Sequence, residues 1–248
     1  MNLGIRTVAA DRPADPVLAS WQEQVRSAVA KGTALVIEGG RSKSFYGRPS
    51  AGEPLATAAY RGIVDYEPTE LVITARGGTP LAEIDAALAE RGQMLAFEPP
   101  RFAGSPTIGG VVAAGLSGPR RMAVGAVRDF VLGARLLDGK GDLLNFGGQV
   151  MKNVAGYDVS RLLAGSLGCL GVLVEVSLKV LPKPLEEATL HFELSEAEAF
   201  ERFDRWAGQA LPVSASAWSE GALRLRLSGA GPAVAAAGRT LGGEALEE

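Results

Sequence analysis

Cysteine and histidine are almost absent from this chain: its 248 residues include one of each, Cys169 and His191. One cysteine forms no disulfide within the chain, which fits a reducing cytoplasm. Zinc sites of the His/Cys type and iron–sulfur clusters need several such ligands and are excluded. A Ser–His–Asp triad is also excluded, because no G-x-S-x-G motif precedes the single histidine. We therefore expect chemistry that depends on neither imidazole nor thiolate.

Long apolar runs and an excess of positive charge are missing too. The longest uncharged apolar run, residues 108–116, has nine residues, whereas a bilayer span needs about 20. The N-terminus has neither a basic start nor an apolar segment, so no secretory signal is visible. A net charge of −3 gives no field that attracts nucleic acid. We expect a cytoplasmic protein without nucleic-acid binding or direct membrane insertion, with peripheral attachment to the inner membrane face through partners as an alternative.

Glycine, by contrast, is abundant, at 32 of 248 residues, against an average usage of about 7%. Five glycines lie in residues 105–129, "SPTIGGVVAAGLSGPRRMAVGAVRD". Two familiar nucleotide motifs fail: "VIEGGRSKS" lacks the G-x-G-x-x-G spacing, and "GARLLDGKG" has no Ser or Thr after its lysine. The glycines therefore mark neither a Rossmann turn nor a P-loop.

Three glycine-bearing turns remain, at residues 38–44, 104–118 and 165–172. Such turns present successive backbone amides that bind phosphate oxygens without a lysine, and they allow close approach to a flat ligand. Any one of them alone is better explained as a tight loop. The three together favour a long dinucleotide lying across several turns.

The pattern of elements predicts an α+β protein of two domains. The first helix begins at Asp15 and ends at Gly32, and "DGKG" predicts a hairpin between two apolar runs. Beyond residue 183 we predict a strand at 189–194, a helix at 195–207, strands at 213–219 and 222–227, and an Ala-rich helix. This order is that of a ferredoxin-like unit without its last strand. We therefore expect domains at 1–183 and 184–248, the second truncated.

A family resemblance rests on four segments in this order: "VIEGGRSKSF", "PPRFAGSPTIGGVVAAGLSG", "GAVRDFVLGARLLDGKGDLL" and "GSLGCLGVLVEVSLKVLP". They resemble the FAD-binding domain of the vanillyl-alcohol-oxidase (PCMH) type. Residues 118–182 are closely similar to the FAD-binding subunits of bacterial glycolate oxidase complexes. The resemblance implies two α/β subdomains that hold FAD between them, followed by a partial ferredoxin-like cap domain.

Cofactor-binding residues follow from the resemblance position by position. They are Glu38, Gly39, Gly40, Arg41, Ser42 and Lys43 in the first loop; Pro106, Thr107, Gly109 and Gly110 in the second, with Ala114 and Ser117 beside the flavin; Gly125 and Asp129 in the turn into the hairpin; and Gly168, Gly171 and Val172 along the cofactor.

The first loop departs from the family pattern, because many relatives have three glycines and a Ser or Thr where this chain reads "EGGRSKS". Arg41 and Lys43 either add charge to the phosphate contacts or are solvated loop cations. The residues that attach FAD covalently in some relatives are missing, except at Cys169, which we expect to be a small buried residue. The resemblance implies non-covalent FAD.

Candidate catalytic groups are few. Lys152, Tyr157 and Arg161 in "MKNVAGYDVSR" are the best available, although a helix start with a surface Lys and Arg and a packed Tyr explains them better. The resemblance implies a subunit that oxidises glycolate to glyoxylate together with a sister FAD-linked subunit and an iron–sulfur subunit, acting on a small 2-hydroxy acid. Since no base is obvious, we expect that this chain holds FAD without completing the oxidation alone.

Three other functions stay open at this point. The chain is compatible with an autonomous flavin dehydrogenase of another hydroxy acid or alcohol. It is also compatible with a cofactor-free structural subunit, and with a module in which residues 185–248 bind a small effector.

Overall fold

The computed structural model describes residues 6–7, 15–102, 104–148 and 158–246, whose mixed helices and strands confirm the predicted α+β class. The helices and strands have these bounds in chain order: β1 Arg6–Thr7, α1 Pro16–Lys31, β2 Leu35–Glu38, β3 Glu53–Ala56, β4 Ile63–Glu67, β5 Val72–Arg76, α2 Leu81–Ala89, β6 Gln93–Met94, α3 Ile108–Ala114, α4 Arg121–Val124, α5 Val127–Phe130, β7 Val131–Leu137, β8 Leu143–Gly147, α6 Val159–Leu162, β9 Val172–Lys179, β10 Leu181–Pro182, β11 Glu186–Glu193, α7 Glu196–Ala207, β12 Val213–Ser219, β13 Ala222–Gly229, α8 Gly231–Leu241 and β14 Glu244–Leu246. Among the described residues, no helix combines the length and the apolar character that a bilayer-spanning segment needs.

The chain divides into two units. The first comprises Met1–Ser117 and Ala126–Leu181, and the second comprises Gly118–Gly125 and Pro182–Glu248. The sequence placed residues 118–125 in the first domain, whereas in the structure they pack with the second unit. The domain assignments at 1–183 and 184–248 otherwise stay a prediction.

A six-stranded antiparallel sheet organises the first unit, with the order β1-β8-β7-β9-β5-β4. The predicted hairpin is β7 and β8, joined through "DGKG". A separate parallel pair, β2 with β3, carries the chain into and out of the first glycine loop. The sheet therefore supplies the framework from which the glycine turns project.

Helix α1 has the predicted ends: the Asp15 side chain accepts from the Val17 amide, and Gly32 closes the helix with φ +65°. Its apolar face buries Leu18, Trp21 and Val25. This face packs against Tyr60 and against apolar residues of β3, β7 and β9. The strand residues are Leu55, Leu137, Val172 and Val174.

The second unit is a ferredoxin-like fold whose sheet has the order β12-β13-β11-β14, with α7 and α8 in the connections. The expectation that its last strand is missing was wrong. Glu244–Leu246 forms that strand and pairs antiparallel with β11. This strand was not predicted because "GGEALEE" is short and polar and begins with two glycines, unlike an ordinary strand. The capping box of Ser195 and Glu198 at α7 is present as predicted.

Segment 118–125 is fixed to the second unit by a buried cation. The Arg120 side chain is 7% exposed and forms an ion pair with Glu187 at 2.5 Å, while its other terminal nitrogen lies 2.9 Å from Ser228 Oγ. Burial alone acts to raise the pKa of Glu187, but the hydrogen bonds from Ser228 and Arg120 outweigh it and hold that pKa below its ordinary value. The carboxylate is therefore charged whenever the ion pair forms near neutral pH.

Candidate functional site

The three predicted glycine turns line one cleft of about 910 Å³ in the first unit, with a recess of about 80 Å³ beside it. This volume lies within the range of about 300–1,000 Å³ that is common for ligand sites. The lining residues are 36–44 and 46–50 of the first loop, Thr107, Gly110, Ala113 and Ala114 of the second, and Leu167 and Cys169 of the third. The recess adds Gly109, Gly168, Gly171 and Val172.

The first two turns meet at Gly40. A Cβ atom there would overlap the carbonyl oxygen of Ser105, so only glycine allows the two backbones to approach this closely. The loop leaves β2 at a fixed point, because the amide and the hydroxyl of Thr57 both donate to the Glu38 carbonyl, at 2.8 and 3.1 Å. The first loop is thereby held against the second.

The third turn caps the C-terminus of α3. The Gly165 amide donates to the Val112 carbonyl at 3.0 Å, and the Leu167 amide donates to the Ala113 carbonyl at 2.9 Å. Both carbonyls belong to the last turn of the helix, where acceptors lack partners further along it; the Val112 carbonyl also accepts from the Gly115 cap amide at 3.1 Å. A Cβ at Gly115 would lie 2.7 Å from the Gly165 Cα. Packing therefore brings the second and third turns together independently of any ligand.

The first loop presents a row of backbone amides to the cleft. Within the described part of the chain, the amides of Gly40, Arg41, Ser42 and Lys43 donate to no protein acceptor. Arg41 has φ +56°, an uncommon left-handed conformation for a residue with a side chain. A left-handed residue within a turn is a feature of the concave anion sites in which successive backbone amides converge.

Thr107 adds a buried hydroxyl without a partner. The residue is 3% exposed, and its Oγ1 has no hydrogen-bond partner among the described residues. This oxygen would lie 2.5 Å from a Cβ on Gly39 and 3.3 Å from one on Gly110, and all three residues line the cleft. Buried polar atoms are nearly always paired. The hydroxyl therefore indicates a ligand oxygen in the space between the first two turns.

The charge of the cleft is positive, because Arg41, Lys43 and Arg48 line it together with a single carboxylate, Glu38. Arg41 lies 3.5 Å from Glu38 Oε1 and is largely exposed. Partial burial lowers the pKa of Lys43 from its ordinary value. Its Nζ lies 3.5 Å from Ser42 Oγ. An anionic ligand in this cleft would meet cationic side chains as well as backbone amides.

Several predicted cofactor residues lie outside the lining and have structural contacts instead. The Ser117 hydroxyl accepts from the Val127 amide at 2.9 Å, and the Asp129 carboxylate accepts from the Ala126 amide at 2.9 Å. The Pro106 carbonyl accepts from Leu81, and Gly125 ends α4 with φ +96°. The Gly109 amide is also occupied, since it donates to the Gly77 carbonyl at 2.8 Å.

Of the candidate catalytic residues, Lys152 and Tyr157 lie outside the described residues. Arg161 is on α6, is 45% exposed and pairs with Asp158 at 3.0 Å. It does not belong to the cleft lining. The expectation that Cys169 is buried was wrong, because the residue is exposed and lines the cleft. The glycines on both sides of its turn leave little around the side chain that could cover it.

The lining positions that were not predicted as cofactor-binding residues include Thr57, Gly77, Ala113 and Leu167. The signal for one was present in "VITARGGTP", where a glycine pair follows a buried strand. At Gly77 a Cβ would overlap the Leu173 carbonyl oxygen, so the end of β5 lies close against β9. Leu167 carried no signal, although it adopts φ +52° and lines both the cleft and the recess.

A family model described as an FAD binding domain matches residues 18–147, just over half of the chain. The chain belongs to this family. Membership confirms FAD as the predicted cofactor and agrees with the resemblance found in the four sequence segments. The predicted non-covalent attachment stays a prediction.

Among curated proteins, glycolate oxidase subunit GlcE of Escherichia coli strain K12 is 54% identical over 222 residues, which are 90% of this chain and 63% of that protein. D-2-hydroxyglutarate dehydrogenase of Xanthomonas citri pv. viticola is 34% identical over 66% of this chain and 35% of that protein. Glycolate oxidase subunit GlcD of Bacillus subtilis is 34% identical over 52% of this chain and 27% of that protein. The chain therefore spans less than two thirds of the length of the curated relatives it matches.

Among solved structures, alkyldihydroxyacetonephosphate synthase matches with a TM-score of 0.69 at 16% identity, over 89% of this chain and 47% of that one. At this identity the similarity concerns the fold alone. It extends over most of the chain and so supports the mixed architecture described above.

Thr107→Val is expected to separate a ligand role of the hydroxyl from a structural one. Valine keeps the shape but removes the unpaired oxygen, so the FAD-free chain should become more stable by about 1 kcal/mol, since an unsatisfied buried polar group costs about 1–3 kcal/mol. FAD affinity should fall by about tenfold, because the cofactor loses a hydrogen-bond donor. Thermal unfolding without FAD and fluorescence titration with FAD measure the two effects. A purely structural hydroxyl would leave FAD affinity unchanged.

Proposed function

We propose that this chain is the FAD-binding subunit of a 2-hydroxy acid oxidase complex that converts glycolate to glyoxylate. It works there with a sister FAD-linked subunit and an iron–sulfur subunit. The main support is the cleft itself, where three glycine turns from separate parts of the chain line one space large enough for an extended dinucleotide. The names of the relatives restrict the substrate: GlcE, GlcD and D-2-hydroxyglutarate dehydrogenase all act in 2-hydroxy acid oxidation by name.

The residues of the cleft fit the diphosphate of FAD. The amides of residues 40–43 offer donors for its oxygens, and Thr107 Oγ1, close to Gly39, offers another. Arg41 and Lys43 supply positive charge at the same loop. Donors fixed by the fold bind without reorganisation, which strengthens each hydrogen bond. Gly168, Gly171 and Val172 line the recess of about 80 Å³ beside the cleft and would contact part of the bound cofactor.

The bound cofactor would accept the hydride that leaves the carbinol carbon of a 2-hydroxy acid. The same step needs a base for the hydroxyl proton, and such a group must lie within about 3 Å of it or act through one water. Within the described residues, the titratable groups that line the cleft are Glu38, Arg41, Lys43, Tyr46, Arg48 and Cys169. Glu38 is the one carboxylate, and Arg41 is beside it. This composition favours a subunit that holds the cofactor and depends on its partners for turnover.

Anaerobic mixing with glycolate tests this division of labour. The FAD-loaded chain alone should keep its oxidised flavin absorption, whereas the complex with the sister and iron–sulfur subunits should reduce an artificial dye. Rapid bleaching of the isolated chain by glycolate would establish an autonomous dehydrogenase and overturn the proposal. A chain that binds no FAD would identify a structural subunit and overturn it as well.

A further inference from the structure

The thiol of Cys169 is exposed and lies in the lining of the cofactor cleft. Its backbone is held in place, because its amide donates to the Ser166 carbonyl at 2.9 Å and the preceding Gly168 has φ +81°. Cys169 is the sole cysteine of the sequence. Any thiol chemistry of this protein therefore occurs inside the cleft.

A second and independent feature shows that this cleft accepts a ligand. The Thr107 hydroxyl is buried, has no partner among the described residues and faces the space beside Gly39 and Gly110. A polar atom of this kind is satisfied by a bound molecule. A group attached to the Cys169 sulfur would occupy the same lined space and compete with that molecule.

The charge of the cleft selects the reagent. Arg41, Lys43 and Arg48 face a single carboxylate, Glu38, so a molecule with negative charge is attracted into it. A small disulfide that carries carboxylates meets this condition and is a substrate for thiol exchange.

We propose that Cys169 is a thiol-modification site: a small anionic disulfide reacts with it in the FAD-free chain, and modification and FAD binding exclude each other. The proposal rests on the proposed FAD cleft. The reaction would give a reversible redox control over cofactor loading, without any change in the amount of the protein.

The exchange balances within the two reactants. The Cys169 thiol releases its proton, and its sulfur attacks one sulfur of the small disulfide. The bond between the two sulfurs of the reagent breaks, and a new S–S bond forms to Cys169. The departing half takes the electron pair as a thiolate, so Cys169 is oxidised and half of the reagent is reduced. A dithiol reductant reverses the reaction.

The full chain, with and without bound FAD, tests this with oxidised glutathione and with iodoacetamide as probes. Mass spectrometry should show one modification per chain without FAD, at a rate that saturating FAD slows at least about tenfold. The glutathionylated chain should bind FAD at least about tenfold more weakly, and reduction should restore the affinity. The rate with uncharged iodoacetamide measures only how accessible the Cys169 thiol is. The rate with oxidised glutathione also depends on the attraction of its carboxylates to the positive charge of the cleft.

Matched variants separate the position from general thiol chemistry. Cys169→Ser, whose own FAD affinity serves as its reference, should lose all sensitivity to both probes. Ser20→Cys in the Cys169→Ser background places a thiol at an exposed site on α1, outside the cleft lining. Its modification should be unaffected by FAD and should leave FAD affinity unchanged.

The outcomes are distinguishable. FAD binding with identical thiol rates in both states overturns this inference and leaves the proposed function intact. Flavin that stays attached to Cys169 after denaturation overturns it also, because the sulfur would then be a cofactor linkage. A chain that binds no FAD at all overturns both proposals.

Discussion

Gly40→Ala is expected to abolish FAD binding while most of the first unit stays folded. The added methyl group would overlap the Ser105 carbonyl oxygen, and backbone cannot move aside as the end of a long side chain can. The first and second loops must therefore separate, which displaces the amides of residues 40–43 from the Thr107 hydroxyl. We expect FAD affinity to fall by at least about 100-fold, or about 2.8 kcal/mol. The free energy of unfolding should fall by about 1–3 kcal/mol, as is typical of overpacking.

Gly139→Ala is the matched control. It adds the same methyl group in the hairpin turn of the same unit, where no heavy atom lies within 4 Å of the new Cβ. Its FAD affinity should equal that of the parent. Fluorescence titration with FAD gives the affinities, and circular dichroism shows whether the variants are folded. Parental affinity in Gly40→Ala would mean that the junction of the two loops does not position the cofactor.

The elements with local signals could be predicted from the sequence. The Asp15 cap and Gly32 stop defined α1, the "DGKG" turn defined the β7–β8 hairpin, and the capping box defined α7. Each depends on residues within a few positions of one another, whose conformational preferences act without tertiary contacts. The three turns were found for the same reason, because clustered glycines are visible in the chain itself.

The parts that escaped prediction depend on contacts between distant residues. Nothing local indicates that Thr57 fixes the exit of β2, or that the third turn caps α3 through the Val112 and Ala113 carbonyls. Segment 118–125 pairs through Arg120 with Glu187, far away in sequence, so its place in the second unit was hidden as well. Strand β14 is stabilised by its pairing with β11 rather than by its own composition.

A row of charges across the central strands of the first unit also depends on contacts between residues that are distant in sequence. Glu175 on β9 is in register with Arg76 on β5 and with Arg135 on β7. Its carboxylate lies 3.5 Å from Arg135 Nη1 and 3.4 Å from the Tyr60 hydroxyl, and its side chain is only 12% exposed. The sequence showed these residues only as charged groups within three largely apolar strands.

Glu175→Gln is therefore expected to destabilise the first unit by about 3–5 kcal/mol, because it leaves the largely buried Arg135 without the carboxylate with which it pairs. In a unit of this size each kcal/mol lowers the melting temperature by about 2–4 °C, so scanning calorimetry will resolve the change. The control is Asp85→Asn, which removes the carboxylate of a more exposed pair with Arg101 at 2.5 Å. It should cost at most about 1 kcal/mol.

The titration of the Tyr60 hydroxyl is a second measure of the effect of the Glu175 carboxylate. Burial raises the pKa of Tyr60 above its ordinary value, and the Glu175 charge raises it further, against the opposing effect of Arg76 and Arg135. A raised pKa in the folded state gives stability that is complete below pH of about 10 and is lost as the pH rises through the folded value. In Glu175→Gln the pKa of Tyr60 should fall, so the alkaline loss of stability should be smaller and should be complete at a lower pH. The Tyr60 titration is obtained from ultraviolet absorbance as the difference between each protein and its Tyr60→Phe counterpart. An unchanged titration in a destabilised Glu175→Gln variant would mean that the carboxylate acts on the arginines alone.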